Sequence, residues 1–214
     1  MILNSFLRDK FLFSRHVFKV SAAILLVFGC TANLSYPDLK NKNIICFGDS
    51  LTEGTGAGPG EDFPSFLSQK LNRPVINAGQ RGNTTGDALK RIEADVLEKN
   101  PGLVIVEFGA NDYLQKIPQE ETFKNLNRMV TLLQQRGATV VLVAVRVGVL
   151  FDEYDSSFKK ISREKKVILV SDILKGIFTN PQLKSDGLHP NGAGYKIMAD
   201  RVYKAILPII KNSF

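Results

Sequence analysis

The sequence predicts an α/β domain, a three-layer α/β/α sandwich around a five-stranded parallel sheet. Three observations predict it. Five short runs, at residues 44–47, 74–77, 103–108, 139–145 and 167–170, are apolar without alternation, as strands covered on both faces are. Stretches of helical period lie between them. From residue 43 onward strand and helix patterns alternate, so right-handed crossovers would join parallel neighbours.

The chain of 214 residues suits one well-cored domain. Residues 1–30 read as a targeting segment. A basic stretch ending at Lys19 precedes Val20-Ser21-Ala22-Ala23-Ile24-Leu25-Leu26-Val27-Phe28-Gly29, which is too short to span a bilayer but suits the core of a signal peptide. Val27-Phe28-Gly29-Cys30 resembles a bacterial lipobox, in which Cys30 is lipidated and becomes the new N-terminus. An ordinary signal peptide and an uncleaved anchor helix are the alternatives. Each exports the domain to the cell envelope, the first on a lipid anchor in the membrane. Residues 31–42, polar and containing Pro37, form a tether, and residues 43–214 the domain.

Within the domain, Phe66, Leu67 and Leu71 mark the first long helix. Ala88, Leu89, Ile92, Val96 and Leu97 mark the next, at the spacing of one helix face. Phe123, Leu126, Met129, Val130 and Leu133 mark a third, stopped by Gly137. A weaker pattern covers residues 152–165. The last helix, with Ile197, Met198, Val202, Ile206 and Leu207, is expected to start at Pro190.

Charge and cysteine usage exclude several functions. The formal net charge is +7, but Arg8, Lys10, Arg15 and Lys19 face only Asp9 in the leader, and the remainder carries 24 basic against 20 acidic residues. No basic stripe with interleaved aromatics remains, so no nucleic-acid partner is expected. Cys46, alone inside an apolar run, reads as core packing, and no disulfide framework or metal-spaced Cys/His cluster exists. The run Gly54-Thr55-Gly56-Ala57-Gly58-Pro59-Gly60 lacks the lysine of a phosphate loop and is followed by Glu61 and Asp62, so it reads as a surface loop near the site.

In an open parallel sheet the ligand lies beyond the carboxyl ends of the strands. There the chain places Gly48-Asp49-Ser50-Leu51-Thr52, then Gln80-Arg81-Gly82-Asn83, then Gly109-Ala110-Asn111-Asp112, and finally Ser185-Asp186-Gly187-Leu188-His189-Pro190. His16 lies in the leader, so His189 is the one imidazole of the mature domain. A hydroxyl nucleophile needs a base of near-neutral pKa, and Asp186, three residues upstream, can reach the far ring nitrogen in one tight turn. With Pro190 opening a helix, His189 would sit at the N-cap or beside it, where the positive helix end favours the neutral ring. Ser50 is the candidate nucleophile. The backbone N–H groups of Ser50 and Gly82 and the amide of Asn111 are candidate oxyanion donors. Asp49 and Asp112 read as hydrogen-bond supports. Tyr113, Leu114, Ile117 and Val149 are candidate contacts for an apolar acyl or aryl group.

These segments resemble the sequence blocks of the SGNH (GDSL-like) hydrolases, in the family's order over roughly residues 43–210. Within that family the chain is most similar to compact bacterial arylesterases and acyl-thioesterase/lysophospholipases, as Val75-Ile76-Asn77-Ala78 and Val106-Glu107-Phe108 also suggest. The resemblance implies a Ser50–His189–Asp186 triad, an oxyanion hole of Ser50, Gly82 and Asn111, and sheet order 2-1-3-4-5. It implies hydrolysis of carboxylic esters or thioesters, on a small ester or lipid substrate, with no metal or organic cofactor; a monomer is expected. Thr52 replaces the last glycine of a G-x-S-x-G elbow, which argues against an ordinary α/β-hydrolase. Gly148 stands in a loop where the family often has proline. Two alternatives remain: a carbohydrate O-acetylesterase of the cell envelope, and a non-catalytic lipoprotein on the same fold.

Overall fold

The computed structural model describes residues 39–146 and 151–211. Leader, lipobox and Cys30 therefore lie outside the described residues, as does Val149. The five strands are β1 (Asn43–Gly48), β2 (Val75–Gly79), β3 (Pro101–Glu107), β4 (Thr139–Val143) and β5 (Ile168–Val170). All pair in parallel, in the order 2-1-3-4-5.

The helices in chain order are α1 (Ser50–Glu53), α2 (Phe63–Leu71), α3 (Thr85–Asp95), α4 (Ala110–Leu114), α5 (Gln119–Gln135), α6 (Phe151–Lys165) and α7 (Gly192–Ile210). Two buried clusters flank the sheet. Ile44, Cys46, Leu103 and Ile105 share one with Leu67 of α2 and Met198 and Val202 of α7. Ile45, Phe47, Val104 and Val106 share the other with Ile92 of α3, Met129 of α5 and Phe158 of α6. Successive side chains on β1 thus enter opposite layers, both dry, which is why its sequence shows no polar alternation. Gly137, with φ of +74°, ends α5 as the spacing predicts.

Two features differ from expectation. The segments after β1 and β3 close into single turns, α1 and α4, too short to show helical periodicity. Asp49 caps α1 by accepting from the Leu51 N–H, and Gly109 enters α4 with φ of +118°. Pro190 does not open α7. The cap is Asn191, whose side chain accepts from the Gly194 N–H, while Pro190 bridges Lys184 in antiparallel fashion. A side-chain acceptor at Asn191 satisfies a free helix N–H that proline could not, so His189 stands two residues before the cap and not on it. Among the described residues no helix is long and apolar enough to cross a membrane.

Candidate active site

Ser50 is the first residue beyond the Asp49 cap, where β1 turns into α1. The exit is tight because a side chain at Gly48 would collide with Thr52 Oγ1 and the Glu107 carbonyl. Ser50 Oγ lies 3.1 Å from His189 Nε2, although the two residues are 139 positions apart. The other ring nitrogen, Nδ1, is 2.8 Å from Asp186 Oδ2. Asp186 Oδ1 also accepts from the N–H groups of Leu188 and His189, both at 2.7 Å. The His189 bond and then these backbone bonds hold the Asp186 carboxyl down at about 2. It is solvent-exposed and ionised at any working pH, so it can accept an Nδ1–H, which leaves Nε2 as the ring nitrogen facing the Ser50 hydroxyl.

The Asp186–His189 turn is held from behind by the glycine run. Gly56, with φ of +93°, packs so closely that a Cβ would stand 2.0 Å from Ser185 Oγ and 2.9 Å from the Pro190 carbonyl. Tyr195, buried in α7, donates to the Thr55 carbonyl at 2.7 Å. The glycine segment is therefore a strut between α1 and the histidine turn, more than the surface loop its composition suggests.

The three candidate oxyanion donors come from three strand ends. The backbone N–H groups of Ser50 and Gly82 make no hydrogen bond among the described residues. Gly82 has φ of +75° and open space where a Cβ would be. Asn111 differs: its Nδ2 donates to Asp49 Oδ2 at 3.1 Å and to the Asn83 carbonyl at 3.0 Å. For Asn111 to serve as an oxyanion donor, one of these bonds would have to be exchanged.

Arg91 of α3 ties the strand ends together, donating to the carbonyls of Gly48 and Ala78 and to Asn83 Oδ1 while its guanidinium lies 4.5 Å from the Phe47 ring. Asp112, wholly buried, accepts from the Thr85 N–H at 2.9 Å and from Thr122 Oγ1 at 3.3 Å, fixing α4 to α3 and α5. Asp49 and Asp112 thus make the supporting hydrogen bonds their positions suggest.

Ser50, Gly82, Asn111 and His189 line a cavity of about 330 Å³. Its apolar lining is Leu51, Leu114, Val145, Leu174, Phe178 and Leu188; Thr55 and Arg81 add polar groups. Leu114 and Leu188 are the exposed large hydrophobics among the described residues, at 50% and 49%, and both stand on this rim. Of the candidate acyl contacts, Leu114 reaches the cavity. Tyr113 and Ile117 do not; they line a neighbouring pocket with Tyr154, which Leu114 also borders, and the Tyr154 ring meets Tyr113 edge-on at 5.9 Å.

Leu174 and Phe178 lie in residues 171–184, between the last strand run and the Ser185–Pro190 block, a stretch for which the sequence predicts no element. Their signal was the apolar pattern Ile173, Leu174, Ile177, Phe178, which recurs at one-turn spacing. Glu107 was also missed as a working residue, although a lone charge in an apolar strand is conspicuous.

A carboxylate, an imidazole and a hydroxyl in hydrogen-bonded series beside an apolar cavity, at the strand ends of this sheet, mark an ester-hydrolysing enzyme. The chain belongs to the GDSL-like lipase/acylhydrolase family, whose model matches residues 46–197. It is 29% identical over 194 residues to an arylesterase of Vibrio mimicus, covering 86% of this chain and 96% of that one. The thioesterase 1/protease 1/lysophospholipase L1 of Escherichia coli K12 is 26% identical over 177 residues, covering 79% and 85%. Among solved structures, a psychrotrophic esterase of Pseudoalteromonas inhibited by monoethylphosphonate superposes with a TM-score of 0.72 at 28% identity, over 80% of this chain and 100% of the other. The structural neighbours are SGNH hydrolases, and the chain is an esterase or acylhydrolase of that kind.

Proposed function

We propose that the protein hydrolyses carboxylic esters or thioesters with an apolar acyl or aryl group, by two-step acyl transfer on Ser50. The observation that carries this reading is the unbroken series Ser50 Oγ–His189–Asp186 opening on an apolar cavity. His189 Nε2 takes the hydroxyl proton as Oγ attacks the carbonyl carbon. The negative oxygen of the tetrahedral intermediate is met by the N–H groups of Ser50 and Gly82 and by the Asn111 amide. The carbon–oxygen or carbon–sulfur bond then breaks, and the leaving group departs with the proton from His189. Water, deprotonated by the same nitrogen, attacks the acyl-enzyme and releases the acid and Ser50.

The apolar wall favours an acyl or aryl group over a sugar, which would want several stacking aromatics and polar partners; Phe178 is the aromatic side chain on the cavity. The carbohydrate O-acetylesterase reading is therefore second. For location, the lipobox-like stretch supports an exported enzyme anchored to the envelope membrane through lipid on Cys30.

The test is hydrolysis of p-nitrophenyl esters from acetate to palmitate by wild type and Ser50→Ala. Turnover that falls about a thousandfold or more in the variant is expected. A variant with near-wild-type turnover would sink the assignment, and a strict preference for acetate would move weight to the acetylesterase.

A further inference from the structure

Glu107 is a wholly buried carboxyl at the end of a central strand, and the acyl-transfer steps make no use of it. In the sheet register it lies opposite Gly48, so Asp49 and Glu107 leave adjacent strands side by side. Asp49 is wholly buried as well, and the two carboxyls are within hydrogen-bonding reach of each other. Among the described residues no lysine, arginine or histidine is ion-paired with either. Arg91, which donates to the Gly48 carbonyl beside Asp49, is also engaged by the Ala78 carbonyl, Asn83 and Asp95. The titratable groups facing the pair are Cys46 on β1, Asp112 on α4, Tyr195 on α7 and His189, and of these only His189 can become positive.

Two ionised carboxylates cannot share a dry site of this kind without a cation, so one proton stays on the pair. The hydrogen bonds say where. Asp49 accepts from the Leu51 N–H at 3.0 Å with one oxygen and from Asn111 Nδ2 at 3.1 Å with the other, which suits a carboxylate. Glu107 Oε2 accepts from Thr52 Oγ1 at 2.9 Å, whereas Oε1 is buried without a hydrogen-bond partner, the Asp49 backbone N–H being the other donor near this carboxyl. A proton on Oε1 removes that defect, because the hydroxyl can donate to Asp49.

We propose that Glu107 is a positioning residue of the oxyanion hole, a neutral acid whose O–H donates to Asp49 and keeps that carboxylate ionised and aimed at the Asn111 amide. The inference rests on the reading of Asn111 as an oxyanion donor. Asn111 Nδ2 has two hydrogens and, in the resting site, two acceptors. When the oxyanion forms, the bond to the Asn83 carbonyl is the one to give up, since it is neutral. The charge-assisted bond to Asp49 is the stronger and holds the amide in place while the other N–H turns. Without the Glu107 proton, Asp49 faces a second negative charge, and the amide loses its fixed partner.

The test combines infrared spectroscopy with a double-mutant cycle. Wild type at pH 7 should show the C=O stretch of a protonated buried carboxylic acid, and Glu107→Gln should lack it. Glu107→Gln still offers an N–H to Asp49 and an oxygen to Thr52, so its kcat should stay within about threefold of wild type. Glu107→Met, of similar volume but with no donor, should lose about tenfold or more in kcat with KM nearly unchanged; in the Asn111→Ala background the same change should cost less than about threefold. Absence of the infrared band, an equal loss for Glu107→Met in both backgrounds, or full activity of Glu107→Met would overturn the proposal. Should Glu107→Met fail to fold, the band and the Gln variant decide, a tenfold loss in the latter refuting it. Full activity of Asn111→Ala would refute the oxyanion reading itself, and the infrared band tells the two failures apart.

Discussion

Replacing Asn111 by alanine probes the site most directly, and the structure sets the size of the effect. Removing one preorganised oxyanion donor costs about 2.7–4 kcal/mol of transition-state stabilisation, or roughly 10²–10³ in turnover. Asn111 is not a free donor. Both hydrogens of Nδ2 are taken, at 3.1 Å by Asp49 and at 3.0 Å by the Asn83 carbonyl. Turning one toward the oxyanion breaks a neutral hydrogen bond with a net worth of about 1 kcal/mol. The net contribution is then about 2–3 kcal/mol, and Asn111→Ala should lower kcat roughly 20- to 150-fold. The assay is steady-state hydrolysis of p-nitrophenyl acetate with kcat and KM determined separately. The loss belongs in kcat, because the bond to the oxygen strengthens as charge develops there. A loss under threefold, or one confined to KM, would refute the reasoning and remove Asn111 from the hole.

Gly56→Ala should cut kcat by about tenfold or more, since its Cβ would strike Ser185 Oγ and the Pro190 carbonyl at a backbone angle that L-residues avoid; activity equal to wild type would show that the glycine strut does not position His189. Phe178→Ala should lower kcat/KM for the octanoate ester by about tenfold while changing the acetate ester less than threefold, as loss of apolar cover along a chain predicts. Equal losses on both esters would place Phe178 off the acyl path. Burial holds the Asp49 carboxyl up at about 6 against its ordinary 3.8, the Leu51 N–H opposing. A carboxyl raised on folding favours the folded chain fully below about pH 3.8, and that contribution is lost as pH rises through about 6. Tm of wild type minus that of Asp49→Asn should therefore be larger at pH 4 than at pH 7.5, and a difference that grows with pH would contradict the assignment.

The sequence by itself determined the layers. Ile44-Ile45-Cys46-Phe47 has no polar side, so β1 must be covered on both faces, and the helical stretches between such runs supply the cover. It also determined which residues stand at strand ends. That is a local matter for Ser50, Gly82 and Asn111, each within a few residues of an apolar run, whereas the Asp186–His189 turn is separated from the last run by residues 171–184. The start of α7 was misjudged because Pro190 and Asn191 are both good opening residues, and the choice fell to a side-chain bond to the Gly194 N–H.

Tertiary structure decided what no spacing encodes. Contacts across 139 residues between His189 and Ser50, and across 140 between Tyr195 and Thr55, arise from the packing of elements distant in sequence. So does the placement of Leu114 on the cavity, which Tyr113 and Ile117 do not reach. The Asp49–Glu107 pair is the sharpest case. Each carboxyl in the sequence is an ordinary charge, and only the register that sets Gly48 beside Glu107, in an interior without a paired cation among the described residues, turns the two into acids that cannot both ionise.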